Sequence, residues 1–162
     1  AYRREVIEKV GLFNENLLRT EDNEYHYRVR KAGYKICYDE NIQSYYQTRN
    51  SLKRMIKQKY GNGFWIGRTS YTVPQCLSLY HFIPGVFVGC LFIAVLIKLW
   101  FSVDWFWKLI IYPYGFICAV LTILCWIKDK FLITDLGLIL IFPILHISYG
   151  VGTLSGLLKG KV

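Results

Sequence analysis

Three apolar runs, HFIPGVFVGCLFIAVLIKLW (81–100), WFWKLIIYPYGFICAVLTILCW (105–126) and LGLILIFPILHISYGVGTLSGLL (136–158), constrain this chain more than anything else in it. Each holds about 20 residues or more, and a helix rising about 1.5 Å per residue then crosses a hydrocarbon core of about 30 Å. The competing reading is buried helices of a large soluble core. Three such runs within the last 83 residues leave no polar face to cover them, so the sequence predicts three membrane helices.

Charge is concentrated ahead of these runs. Residues 1–79 hold 14 Lys and Arg against 8 Asp and Glu, whereas residues 80–162 hold 6 against 3. The chain therefore divides into a polar part, 1–79, and a membrane part, 80–162. Lys98 and Lys108 near span ends can snorkel, and Trp100, Trp105, Trp107 and Trp126 form the aromatic belt of an interface. Between 49 and 68 there are six basic residues and no acid, and the positive-inside rule then puts 1–79 in the cytoplasm and the loop around Asp104 outside. Three full crossings would send Lys159 and Lys161 outside against that rule, unless the third run is re-entrant or broken near Pro143. The five cysteines show no CxxC spacing, so they read as small apolar residues rather than as disulfides or zinc ligands. The opening AYRREVIEKVG reads as the middle of a domain, as in a fragment that continues upstream.

Within the polar part, RREVIEKV places Val6, Ile7 and Val10 on one helical face, closed by Gly11. Thr20 is positioned to cap a second helix with Glu21 and Asp22 in its first turn, a Tyr25, Val29, Ala32 stripe, a Glu24–Arg28 pair and a stop at Gly33. YKICY and IQSYYQT have the β-branched and aromatic content of two short strands, with DEN as their turn. Ser51 opens a third helix, amphipathic, with Leu52, Met55, Ile56 and Tyr60 opposed to Lys53, Arg54 and Lys57, suited to a membrane surface and interrupted by GNG at 61–63. This order is that of the tail of an α/β or α+β domain.

Acids in a first helical turn are explained by the helix dipole alone, worth about 0.3–1 kcal/mol each. A carboxylate in that position also serves as a general base where it faces a cleft. Spacing leaves both readings open. His26 lacks a partner at metal-ligand spacing and reads as a packing residue; His81 borders an apolar run and His146 lies within one, where an interhelical hydrogen bond is the simplest role. Gly152 and Gly156 form a small-xxx-small pair of the kind that packs helices.

The words VGLFNE, TED at 20–22, RKAGYKI and a basic, aromatic segment running into apolar helices resemble the C-terminal part of the catalytic domain of family 2 glycosyltransferases. The resemblance is in particular to bacterial membrane-bound enzymes of succinoglycan-type exopolysaccharide synthesis. The resemblance covers about residues 3–70. It implies an incomplete GT-A α/β domain tail followed by an all-α membrane region, and inverting transfer of a sugar from a nucleotide-sugar donor to a lipid-linked or polysaccharide acceptor. It implies Asp22 as general base, with Glu21 and Glu24 supporting. A divalent metal, Mg or Mn, is implied for the full-length enzyme. Its Asp-x-Asp ligands belong upstream, since no D-x-D occurs in this chain, and the chain alone is expected to be inactive. Processive members of the family carry Gln-x-x-Arg-Trp at the membrane surface. QKYGNGFW occupies a comparable place, with Gln58 and Trp65 as counterparts on the acceptor side, but the literal spacing and the Arg are missing, which points to addition of one or few sugars. Interfacial anchoring remains open for Trp65. The implied location is the bacterial cytoplasmic membrane, multi-pass, with the catalytic part facing the cytoplasm.

A second class of function also fits: a non-catalytic membrane adaptor whose basic segment binds anionic lipid. Nucleic acid is a poorer partner for the same cations, because they adjoin a span and no RNA-binding motif accompanies them.

Overall fold

The computed structural model describes residues 2–130 and 132–161. Among these the chain forms α1 (Arg4–Val10), α2 (Glu21–Lys31), α3 (Leu52–Thr69), α4 (Ile83–Phe101), α5 (Trp105–Lys128) and α6 (Leu138–Lys159), with 3-10 turns at Pro74–Cys76, Leu79–Phe82 and Ile133–Gly137.

The α/β expectation is overturned, because no strand forms among the described residues. The turn expected at DEN does form: Ile42 N–H donates to the Asp39 carbonyl at 3.2 Å, and Asn41 N–H to Asp39 Oδ1 at 2.9 Å. Its two arms do not pair, and Tyr38 and Tyr45 stand 92% and 97% exposed. Strand propensity measures fit to a pleated, half-buried surface. With no sheet edge to receive them, β-branched and aromatic residues there gain nothing from extension.

Elsewhere in the polar part the periodicity holds. Val6 of α1 packs against Tyr25 and Val29 of α2, with Val10 and Tyr34 at the margin. Phe13 stacks on Tyr25 at 4.3 Å, and Tyr2 meets the same ring edge-on at 4.9 Å. Gly11 takes φ +85° and Gly33 φ +90°, the left-handed turns that let each helix stop.

Three segments, Leu79–Phe101, Trp105–Lys128 and Ile133–Lys159, are long and apolar enough to cross a membrane. Most of their surface faces outward, as lipid solvation allows. Ser102 in the left-handed region ends α4, and Lys98 pairs with Asp104 at 3.1 Å across the turn. Prolines 113 and 143 lie inside α5 and α6 without ending them, so the third run is not broken at Pro143.

The most extensive contact in the molecule is between α3 and α6. α3 runs unbroken through GNG, contrary to the expected interruption, because its glycines form a helix seam. A Cβ at Gly63 would lie 2.0 Å from the Tyr149 carbonyl oxygen, and one at Gly67 2.4 Å from that of Thr153. Reciprocally, a Cβ at Gly152 would lie 2.2 Å from the Tyr60 oxygen and one at Gly156 2.1 Å from that of Phe64. Ser148 Oγ donates to the Ile56 carbonyl at 2.8 Å, and Arg68 Nε to that of Gly160 at 3.4 Å. Positions 56, 60, 64 and 68 thus face 148, 152, 156 and 160 at one constant separation of 92 residues, so the helices run parallel. Close backbone approach of this kind drives association where water supplies no hydrophobic force.

Candidate functional site

The start of α2 is fastened to α3. Thr20, expected to cap its own helix, makes no capping bond; its hydroxyl instead shares a buried 2.6 Å hydrogen bond with Thr69 Oγ1. One residue earlier, Arg19 donates to Asn62 Oδ1 at 2.9 Å and lies over Gly61, where a Cβ would come within 2.9 Å of its Nε. At 3.6 residues per turn, Gln58, Asn62, Trp65 and Thr69 fall within about 60° of one another on α3. The two ties from 19 and 20 therefore land on the face that also carries Gln58 and Trp65. Sequence likeness alone had grouped these residues with the acidic motif; the fold ties the start of α2 to the helix that carries them.

The three carboxylates sit in different environments. Glu24 is buried at 5% exposure and is held by both Arg28 Nε at 2.6 Å and Nη2 at 3.0 Å. The same guanidinium donates to the carbonyls of Val10 at 2.5 Å and Leu12 at 2.7 Å, so Glu24 and Arg28 clamp α1 to α2. Glu24 is consumed by this clamp. Glu21 is half-buried and one of its oxygens, Oε2, is enclosed without a hydrogen-bond partner. Asp22 is exposed, and its Oδ1 accepts only the Asn23 N–H at 2.8 Å, leaving Oδ2 open to an incoming hydroxyl. Cys76, in the turn packed on α2, feels this charge. Burial first, then Glu24 and Asp22, push its thiol up to about 11.

Gln58 Nε2 donates to Tyr46 Oη at 3.3 Å and helps line a cavity of about 220 Å³. The other lining groups are Arg19, Arg49, Arg54 and Lys57, with no carboxylate among them. The sequence signal for part of this cluster was the acid-free run from 49 to 68; Arg19 was missed because it arrives from another element. Trp65 is half-buried, packed edge-on against Phe64 at 6.2 Å, with the Arg68 guanidinium 5.5 Å from its ring. It does not swing out at a break after GNG, since the helix has no break there.

Among the described residues no three His, Cys, Asp or Glu side chains come together in a way that could hold a metal ion. The divalent ion implied by the resemblance therefore has no seat in these residues. What the arrangement offers chemically is an exposed carboxylate at the start of α2, a cationic cavity to which Arg19 contributes, and an aromatic ring on the face of α3 that also carries Gln58. Comparison of the chain with protein-family models, with curated proteins and with solved structures found no match.

Proposed function

We propose that this chain is the membrane-anchored, acceptor-side portion of an inverting glycosyltransferase. The single observation that carries the reading is the pair of ties, Thr20–Thr69 and Arg19–Asn62, which fasten the acidic helix start to the face of α3 bearing Gln58 and Trp65. Asp22 takes the proton of an acceptor hydroxyl as that oxygen attacks the anomeric carbon of the sugar. The bond to the leaving diphosphate breaks on the opposite face, which inverts the centre. Arg19, Arg49, Arg54 and Lys57 supply positive charge for the leaving diphosphate. Trp65 offers a flat apolar surface to a sugar ring. Supply of the nucleotide sugar is assigned to the full-length protein rather than to these residues.

The test is Asp22→Asn in the full-length protein, assayed in membranes against a panel of nucleotide sugars. The amide keeps volume and removes basicity, so transfer should fall by about 10²-fold or more while membrane insertion persists. Activity within about threefold of the parent removes Asp22 as the base.

The adaptor reading has one observation in its favour: none of the four ion pairs among the described residues engages Lys53, Arg54 or Lys57, so these cations are free for anionic lipid. A full-length protein that binds anionic vesicles yet transfers no sugar from any donor would favour it.

A further inference from the structure

A second cavity, of about 450 Å³, lies away from the acidic motif, between α3, the 3-10 turn Leu79–Phe82 and α6. Its polar lining comes from Lys59, His81, His146 and two tyrosines, and it contains no carboxylate. His146 lies inside the apolar run of α6, eight residues or about 12 Å from its start, and is exposed. Its Nδ1 shares a 2.7 Å hydrogen bond with Tyr114 Oη of α5, and the ring helps to line the opening. A polar nitrogen at that place in a membrane segment is costly unless something polar meets it. The Lys59 ammonium reaches the same space from α3 and joins none of the ion pairs among the described residues. His81 Nδ1 lies 3.0 Å from both the N–H and the carbonyl oxygen of Ser78, so the ring is held by its Nδ1 edge.

From this polar end the groove continues into hydrocarbon. A lobe of about 270 Å³ shares Tyr80, Pro84 and His146 with the first cavity and adds Ile83 and Phe87. A third, of about 370 Å³, shares Ile83 and Phe87 and adds Val86 and Leu79. A cation without a carboxylate at one end and an apolar track leading from it match one kind of molecule, an anionic headgroup on a hydrocarbon tail.

The geometry points to a binding site for a phosphorylated lipid, with its phosphate held among Lys59, His81 and His146 and its chain laid along Ile83, Val86 and Phe87. The site stands apart from the transferase reading, since a chain without any catalytic role would bind the same lipid. Phosphate is the headgroup of choice because an ammonium and two imidazole rings converge from three elements with no carboxylate among them, and a tetrahedral, multi-oxygen anion meets all three at once.

The experiment uses the full-length protein in an uncharged detergent, titrated with dodecyl phosphate or with inorganic phosphate and read by native mass spectrometry and intrinsic fluorescence. Dodecyl phosphate should bind at least tenfold more tightly than inorganic phosphate. Lys59→Gln and His146→Gln should each weaken its binding about tenfold, while Lys98→Gln, at the far end of α4, should leave it unchanged. Lys59 is exposed, so its variant keeps the fold and carries the test even where His146→Gln unfolds. Equal binding of inorganic phosphate overturns the lipid assignment. Unchanged affinity in Lys59→Gln overturns the site.

Discussion

Glu24 and Asp22 lie two positions apart on one short helix and answer to different forces. Removing the charge of Glu24 strands the Arg28 guanidinium against the carbonyls of Val10 and Leu12. Breaking a buried pair costs about 3–5 kcal/mol; because the Arg28 side chain keeps 28% exposure, Glu24→Gln is expected to cost about 2 kcal/mol and to lower the thermal unfolding midpoint. Asp22→Asn should leave that midpoint in place, so the pair of variants separates a structural carboxylate from a chemical one. Cys76 gives a further check on the same neighbourhood. Its thiol is raised from an ordinary 9.0 to about 11, so its stabilising contribution is complete below pH 9 and lost as pH climbs through about 11. Exposed Cys37 should react with iodoacetamide at pH 8, and Cys76 should resist until pH approaches 11. Equal labelling of both at pH 8 would show that α2 does not pack over the turn at Pro74–Cys76.

At the scale of elements, what could be read from the sequence was whatever depends on neighbours three or four residues away. The α2 stripe of Tyr25 and Val29, the Glu24–Arg28 pair and the three apolar runs all follow from helical period and length. The two strands failed because extension is stabilised by a partner the composition cannot supply. Thr20 failed as a cap because a hydroxyl 49 residues away offered a better bond. The break at GNG failed for a related reason. Glycine lowers helix propensity, but Gly63 and Gly67 return more through contact with α6 than they lose in backbone entropy. The seam is testable by adding one side chain. Gly152→Val should force α3 off α6 and raise tryptic cleavage after Lys53, Lys57 and Lys59 by about tenfold or more, since cleavage follows the open population. Gly115→Ala, where nothing lies within 4 Å of the added carbon, should leave cleavage unchanged.

For the whole molecule, the candidate site could be read only as a set of residue types. The grouping of Asp22 with Gln58 and Trp65 came from a resemblance, and the pair of polar ties that joins α2 to α3 is one that no spacing announces. The ends of α3 and α6 are joined by similar contacts. Arg68 Nη2 donates to the Lys161 carbonyl at 2.8 Å and Tyr71 Oη to that of Leu157 at 3.0 Å, so the last turn of α6 lies beside the last turn of α3. Lys159 and Lys161 therefore lie beside the end of α3. Single cysteines placed at Thr72 and Lys161 should label from one side of intact membranes, and one at Asp104 from the other. Opposite labelling of Thr72 and Lys161 would rule out the seam as the membrane-embedded arrangement.

The constant separation of 92 residues across that seam also sets an order of events during synthesis. α3 leaves the ribosome long before its mate exists; at about 5–20 residues per second the wait is roughly 5–20 s. Through that interval its glycine face has no backbone to lie against, while two apolar helices must already be inserting. The seam is consequently closed last, by the arrival of the C-terminal helix, and a ribosome that stops before Ser148 releases a chain with two apolar helices made and α3 without its mate.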